Sequence, residues 1–148
     1  MKKTNVILLI GLCLLFTGIL LTNCEKKSST EVKAGDLVGT WVLTKVTITF
    51  GTGQSITLEG QALQAAGISG TITIRADGTY TAVMNMGDDP ITENGTWTID
   101  GNNLTLTTSE GSETVPFTLS GNKLTITITE DIDEDGQDDT MKLEFTKQ

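Results

Sequence analysis

Asn94-Gly95-Thr96-Trp97-Thr98-Ile99-Asp100-Gly101-Asn102-Asn103-Leu104-Thr105-Leu106 decides the fold. Successive side chains of a strand point to opposite faces, so Trp97 and Ile99 share one side of an extended chain and Thr96 and Thr98 the other. Asp100 to Asn103 supply turn chemistry, and Leu104 and Leu106 then resume the apolar face. The stretch reads as a β-hairpin with one buried side.

The same rule extends in both directions. Ile72 and Ile74 alternate with threonine, Ala76-Asp77-Gly78-Thr79 turns, and Tyr80, Ala82, Met84 and Met86 carry the apolar face onward. Val115, Phe117 and Leu119 alternate next, with Pro116, which has no N–H to donate, predicting an edge or bulged position. Leu124, Ile126 and Ile128 follow with threonines between them, and Met141, Leu143 and Phe145 close the series. Between Thr40 and Phe50 the apolar set changes phase, from Trp41 and Leu43 to Val46, Ile48 and Phe50, which predicts a bulge or sharp bend. Ser55 to Leu58 suits a short strand, and Gln61 to Ala66 suits either a short helix or a loop. Eight or nine short strands without a long helix predict an all-β, antiparallel up-and-down meander. Such a sheet buries its single apolar face best by closing into a barrel of about eight strands.

A chain of 148 residues with 10 basic and 19 acidic side chains, net charge −9, is a poor match for nucleic acid. There is no histidine, and both cysteines, Cys13 and Cys24, fall in the first 24 residues. The domain that follows has no internal disulfide, thiolate nucleophile or Cys/His zinc site. Acid–base chemistry would fall to carboxylates such as Asp88, Asp89 and Glu93, which the sequence places in a Pro90-containing loop where acidic residues are ordinarily solvated. An enzyme is not expected, and no catalytic residue is assigned.

The N-terminus reads as an address. Lys2 and Lys3 precede an apolar run from Val6 to Leu21, too short and too terminal for a typical membrane span. Leu21-Thr22-Asn23-Cys24 resembles the lipobox of bacterial lipoproteins, with Asn23 departing from the usual small residue before the cysteine. The resemblance implies a signal peptide over residues 1–23 and lipidation of Cys24 by acyl chains such as palmitate, tethering the protein to a membrane. Uncleaved anchoring or ordinary cleavage nearby are the alternatives. Residues 24–36 are polar and aperiodic, a flexible tether ahead of the domain at 37–148. Glu25 is not the aspartate that tends to retain such lipoproteins at the inner membrane, so the outer membrane of the bacterial envelope is favoured.

Leu37-Val38-Gly39-Thr40-Trp41, then Ala76-Asp77-Gly78-Thr79-Tyr80, then Gly95-Thr96-Trp97-Thr98-Ile99 with Asn103-Leu104-Thr105-Leu106, together resemble the lipocalin-like domain of bacterial lipoproteins. That resemblance implies an eight-stranded up-and-down barrel, a tryptophan at its closed end (Trp41), and non-covalent binding of a small apolar molecule or lipid. Tyr80, Met84, Phe117, Trp41 and Trp97 are then candidates to line a cavity, although a barrel filled by its own side chains needs the same large residues. In that alternative the protein is a solid-barrel interaction module of the envelope, contacting a protein or polysaccharide.

Asp131-Ile132-Asp133-Glu134-Asp135-Gly136-Gln137-Asp138-Asp139 places oxygen ligands at alternate positions with glycine sixth, similar to the D-x-D-x-D-G calcium loop. Asp131, Asp133, Asp135 and Asp139 are its candidate calcium ligands. The twelfth position is Lys142 and no helices flank it, so an EF-hand is excluded. A solvated acidic hairpin tip is the alternative.

Overall fold

A computed structural model describes residues 32–148 apart from Asp88. The expected signal peptide, Cys24 and Asp88 therefore lie outside the described residues. Nine strands form one antiparallel sheet: β1 Gly39–Thr49, β2 Ser55–Glu59, β3 Ile68–Ile74, β4 Thr79–Met86, β5 Ile91–Asp100, β6 Asn103–Thr107, β7 Ser112–Ser120, β8 Lys123–Glu130 and β9 Asp139–Lys147. Each strand from β3 to β8 pairs with its successor, and β9 pairs back to β1. Eight strands thus close a barrel, as the alternation requires, and no apolar face is left open.

The ninth strand is accommodated by dividing one edge of β1. Gly39–Val42 pairs with Thr71–Ile74 of β3, whereas Lys45–Thr49 pairs with Ser55–Glu59 of β2. The phase change falls on Thr44, where the register to β9 shifts between Leu43 and Lys45, and the unpaired Thr44 hydroxyl donates 3.2 Å to the Glu144 carbonyl. The bulge keeps Trp41, Leu43, Val46 and Ile48 on one face. The ambiguous segment after β2 forms helix α2, Gln61–Ala65, with Leu63 buried.

One end of the barrel is shut by a further helical turn, α1, Ala34–Leu37. Leu37 is buried beneath it, the Trp41 indole N–H donates 2.8 Å to the Leu37 carbonyl, and Lys147 donates 3.0 Å to the Asp36 carbonyl with its ammonium 5.1 Å from the centre of the Trp41 ring. Ala34–Asp36, expected in the flexible tether, thus form a helical turn at the closed end and are themselves exposed; Leu37 and Trp41 explain this, because a buried indole needs an acceptor that the turn supplies. The turns β3–β4, β5–β6 and β7–β8 lie at this end, and the loops β4–β5, β6–β7 and β8–β9 at the other, the mouth.

Pro116 does not lie on an edge strand, one of the two placements expected for it, but at a break in the ladder. β7 lies between β6 and β8, with Pro116 opposite Asn103 of β6. The paired residues of β7 and β8 run from Ser120↔Lys123 to Phe117↔Ile126 and stop one residue short of the proline, which has no N–H to continue the ladder. Towards the mouth, Ser112–Val115 pairs with β6 and Thr127–Glu130 with β9, but not with each other. A seam opens there.

Candidate functional site

The interior has two zones. Towards the closed end Trp41, Tyr80, Phe117, Phe145, Ile74, Leu104 and Leu124 are each at most 2% exposed, a packed floor. Towards the mouth the inward residues Ile48, Ile68, Ala82, Met84 and Ile128 pack on this core but keep part of their surface accessible. Two glycines shape the walls. A Cβ at Gly95 would run into the Thr107 carbonyl oxygen and lie 2.8 Å from the Tyr80 ring, and one at Gly70 would lie 2.6 Å from the Met84 sulfur. The Tyr80 ring and the Met84 thioether therefore approach the backbone at Gly95 and Gly70 closely because these positions lack side chains.

Of the candidate lining residues, Trp41 and Trp97 belong to the floor. The Trp97 indole N–H donates 3.0 Å to the Arg75 carbonyl in the β3–β4 turn. Phe117 is likewise packed in the core. Met84 faces the accessible zone, and Tyr80 spans the two, its ring buried and its hydroxyl donating a short hydrogen bond to Glu93 Oε1.

That partner corrects the sequence reading of Glu93. It is not in the loop but within β5, paired with Ala82, whose own partner Ile72 is buried. Glu113 of β7 pairs with Leu106, whose partner is Trp97, and it occupies the same face as Val115 and Phe117. Glu130 lies two residues beyond Ile128 on the inward face of β8. Three glutamates thus line the mouth-side interior, Glu113 and Glu130 across the seam. Glu113 Oε2 and Glu130 Oε2 are withdrawn from solvent and have no hydrogen-bond partner within the protein. Burial, reinforced by the charges of Glu93 and Glu130, pushes the Glu113 carboxyl up to about 7, and burial raises Glu130. Burial, with the Glu93 hydrogen bond and charge and the Glu113 charge, holds the Tyr80 phenol well above its ordinary range.

Among the described residues the one basic side chain in phase with the inward face, Lys147, lies at the closed end over Trp41, at the far end of the barrel from these glutamates. Lys45 makes ion pairs with Glu59, 3.7 Å, and Glu144, 3.5 Å, on the outer face. Sequence reasoning passed over Glu113 and Glu130, though both were detectable, since each is in phase with the apolar residues of its strand.

The β8–β9 loop gathers part of the expected calcium set. One carboxylate oxygen from each of Asp131, Asp133 and Asp139 lies within 4.8 Å of the others. Asp135 falls outside this group; its Oδ1 accepts 2.8 Å from the Gln137 N–H. Asp131 accepts from the N–H groups of Asp135, 3.0 Å, and Gly136, 2.9 Å. Asp139 is fully buried and accepts from Gly51 N–H at 2.9 Å and Ile132 N–H at 2.8 Å, fastening the loop to the end of β1.

A closed eight-stranded antiparallel barrel with a packed floor and a partly accessible apolar interior defines the lipocalin class of fold. The chain belongs to the lipocalin-like domain family, whose model matches residues 37–126. Similar solved structures include a lipocalin-like protein from Bacteroides uniformis, 17% identical, TM-score 0.47, the alignment covering 77% of this chain and all of that one. The siderocalin Ex-FABP is 12% identical with TM-score 0.45, covering 76% and 74% of the two chains. The fluorescent protein UnaG is 14% identical with TM-score 0.41, covering 78% and 100%. No curated protein sequence matches the chain.

Proposed function

We propose that this protein is a lipid-anchored lipoprotein of the bacterial envelope, most simply at the outer membrane, whose barrel encloses a small, largely apolar molecule or lipid without covalent chemistry. The observation that carries the reading is the division of the interior. Its floor is packed to the level of a protein core, whereas Met84, Ala82, Ile68, Ile48 and Ile128 remain partly accessible where a ligand entering the mouth would meet them. Tyr80 and Met84 are the contact residues among the original candidates, with Phe117, Trp41 and Trp97 supporting them from beneath. The family supports the binding role, since lipocalin-like members bind small hydrophobic ligands. The anchor rests on Leu21–Cys24, and among the described residues no helix is long and apolar enough to cross a membrane.

Native mass spectrometry of protein released from its own membranes tests this. A small molecule should accompany the folded protein and leave on denaturation. An empty barrel that also gives no tryptophan-fluorescence response to octan-1-ol would defeat the proposal.

A second proposal concerns the β8–β9 loop. Convergence of Asp131, Asp133 and Asp139 within 4.8 Å favours weak calcium binding there, with Asp139 doubling as the brace that holds the loop to β1.

A further inference from the structure

The barrel interior is apolar in its walls but anionic where it opens. Glu93, Glu113 and Glu130 all occupy inward positions, fixed by the partners Ala82 and Leu106 and by alternation with Ile128. Glu93 receives the Tyr80 hydroxyl, while Glu113 Oε2 and Glu130 Oε2 are buried without a partner. Each of these two side chains is partly buried, with one carboxylate oxygen withdrawn from water, and an oxygen so placed is stabilised when a cation or a hydrogen-bond donor replaces the lost solvent. The protein supplies neither at these two oxygens. Among the described residues the only ion pairs use Lys45 on the outside of the barrel, and Lys147 is committed to Trp41 and Asp36 at the closed end.

We infer that the enclosed molecule carries a cationic nitrogen head, an ammonium group on an apolar body, held by Glu113 and Glu130 across the seam between β7 and β8. The inference rests on the small-molecule reading above and specifies its ligand class. An ammonium group brings three donors and one positive charge, enough to meet both orphaned oxygens, with Glu93 adding to the field from behind. Its apolar body would lie against Met84, Ala82 and Ile128, the accessible part of the wall. A bare metal ion fits less well. Among the described residues, the acidic oxygens that converge within 4.8 Å are those of Asp131, Asp133 and Asp139, not those of the three glutamates. Carboxylates that do not converge as a threesome suit a head group whose donors point in different directions better than a metal ion. The seam itself follows from Pro116: where the β7–β8 ladder stops, Glu113 and Glu130 sit on facing strands with no backbone hydrogen bonds between them.

The test compares n-octylamine, octan-1-ol and octanoate, titrated at pH 8 into the full chain after removal of any co-purified molecule, by calorimetry and tryptophan fluorescence. The three probes share one hydrocarbon tail and differ in head charge. Octylamine should bind about tenfold more tightly than octan-1-ol, the effect of roughly one charge-assisted hydrogen bond, and octanoate more weakly than either. Glu113→Gln combined with Glu130→Gln, nearly isosteric and checked for folding by circular dichroism, should bring octylamine level with octan-1-ol. Glu110→Gln, in the exposed β6–β7 turn, removes one charge from the surface and should leave the preference intact, separating a local site from attraction to a protein of net charge −9. If octan-1-ol binds as tightly as octylamine, or the preference survives the double substitution, or Glu110→Gln abolishes it equally, the cationic class is overturned and small-molecule enclosure stands. If none of the three probes binds, both readings fall.

Discussion

Replacing Glu113 with glutamine should make the ligand-free barrel more stable at pH 8, the reverse of what removing a native side chain usually does. The carboxyl rises from its ordinary 4.5 to about 7 on folding, mainly through burial and then through the charges of Glu93 and Glu130. At about 1.4 kcal/mol per pH unit, that rise sets an upper limit of roughly 3 kcal/mol on the cost of holding the charged form in the fold. The side chain is only partly buried, so solvent screening reduces this to about 1–2 kcal/mol. The direction follows from proton counting. Between 4.5 and about 7 the folded state holds a proton that the unfolded chain has released, so the wild-type contribution is fully present below 4.5 and lost as pH rises through 7. Glutamine mimics the protonated form at every pH. Thermal unfolding followed by circular dichroism should therefore place the variant about 4–8 °C above wild type at pH 8, with the difference shrinking below pH 7 and vanishing by about pH 4. A variant no more stable than wild type at pH 8, or one whose advantage persists undiminished at pH 4, would mean that Glu113 is not a buried charge.

Three further outcomes are expected. Trp97→Ala should cost about 3–5 kcal/mol, since the ring is 7% exposed and its indole N–H anchors the β3–β4 turn; an unchanged denaturant midpoint would contradict the floor described here. Cys24→Ser should shift the protein from the membrane to the soluble fraction on ultracentrifugation, and its retention in membranes would refute lipid anchoring through that residue. Calcium at ten times its dissociation constant should raise stability by about 1.4 kcal/mol and magnesium by less, with Asp131→Asn plus Asp133→Asn abolishing the difference; equal shifts from both ions would mean nonspecific screening.

Local alternation carried most of the fold because a barrel wall with one wet and one dry side forces a period of two on every strand. The misplaced phase at Thr44 was readable for the same reason: Trp41 and Val46 cannot share a face unless one residue is skipped. Glu93 was assigned to a loop because charge close to Pro90 is ordinarily loop chemistry, yet Ile91, Glu93, Gly95 and Trp97 keep strict parity, and parity decided its place. Glu113 and Glu130 stand next to turns, where charge ordinarily marks solvent, yet each keeps the parity of the buried residues of its strand. Closure of β1 on β9 joins residues about a hundred positions apart and leaves no local trace. The seam at Pro116 needed knowledge of both neighbours, which only the assembled sheet supplies.

The helical turn beneath Trp41 sets which end of the barrel an N-terminal anchor would reach. The chain enters the described domain at Val32, immediately before α1, so any attachment through the N-terminus arrives at the floor of the barrel. Seven residues separate Cys24 from Val32, a leash of roughly 25 Å when fully extended. A lipid at Cys24 would therefore attach at the floor and leave the rim, with its glutamates and acidic loop, at the end of the barrel away from the point of attachment. With the anchor at the base and the opening at the opposite end, the tether would not cross the mouth, and the entrance to the barrel would stay clear of its own attachment.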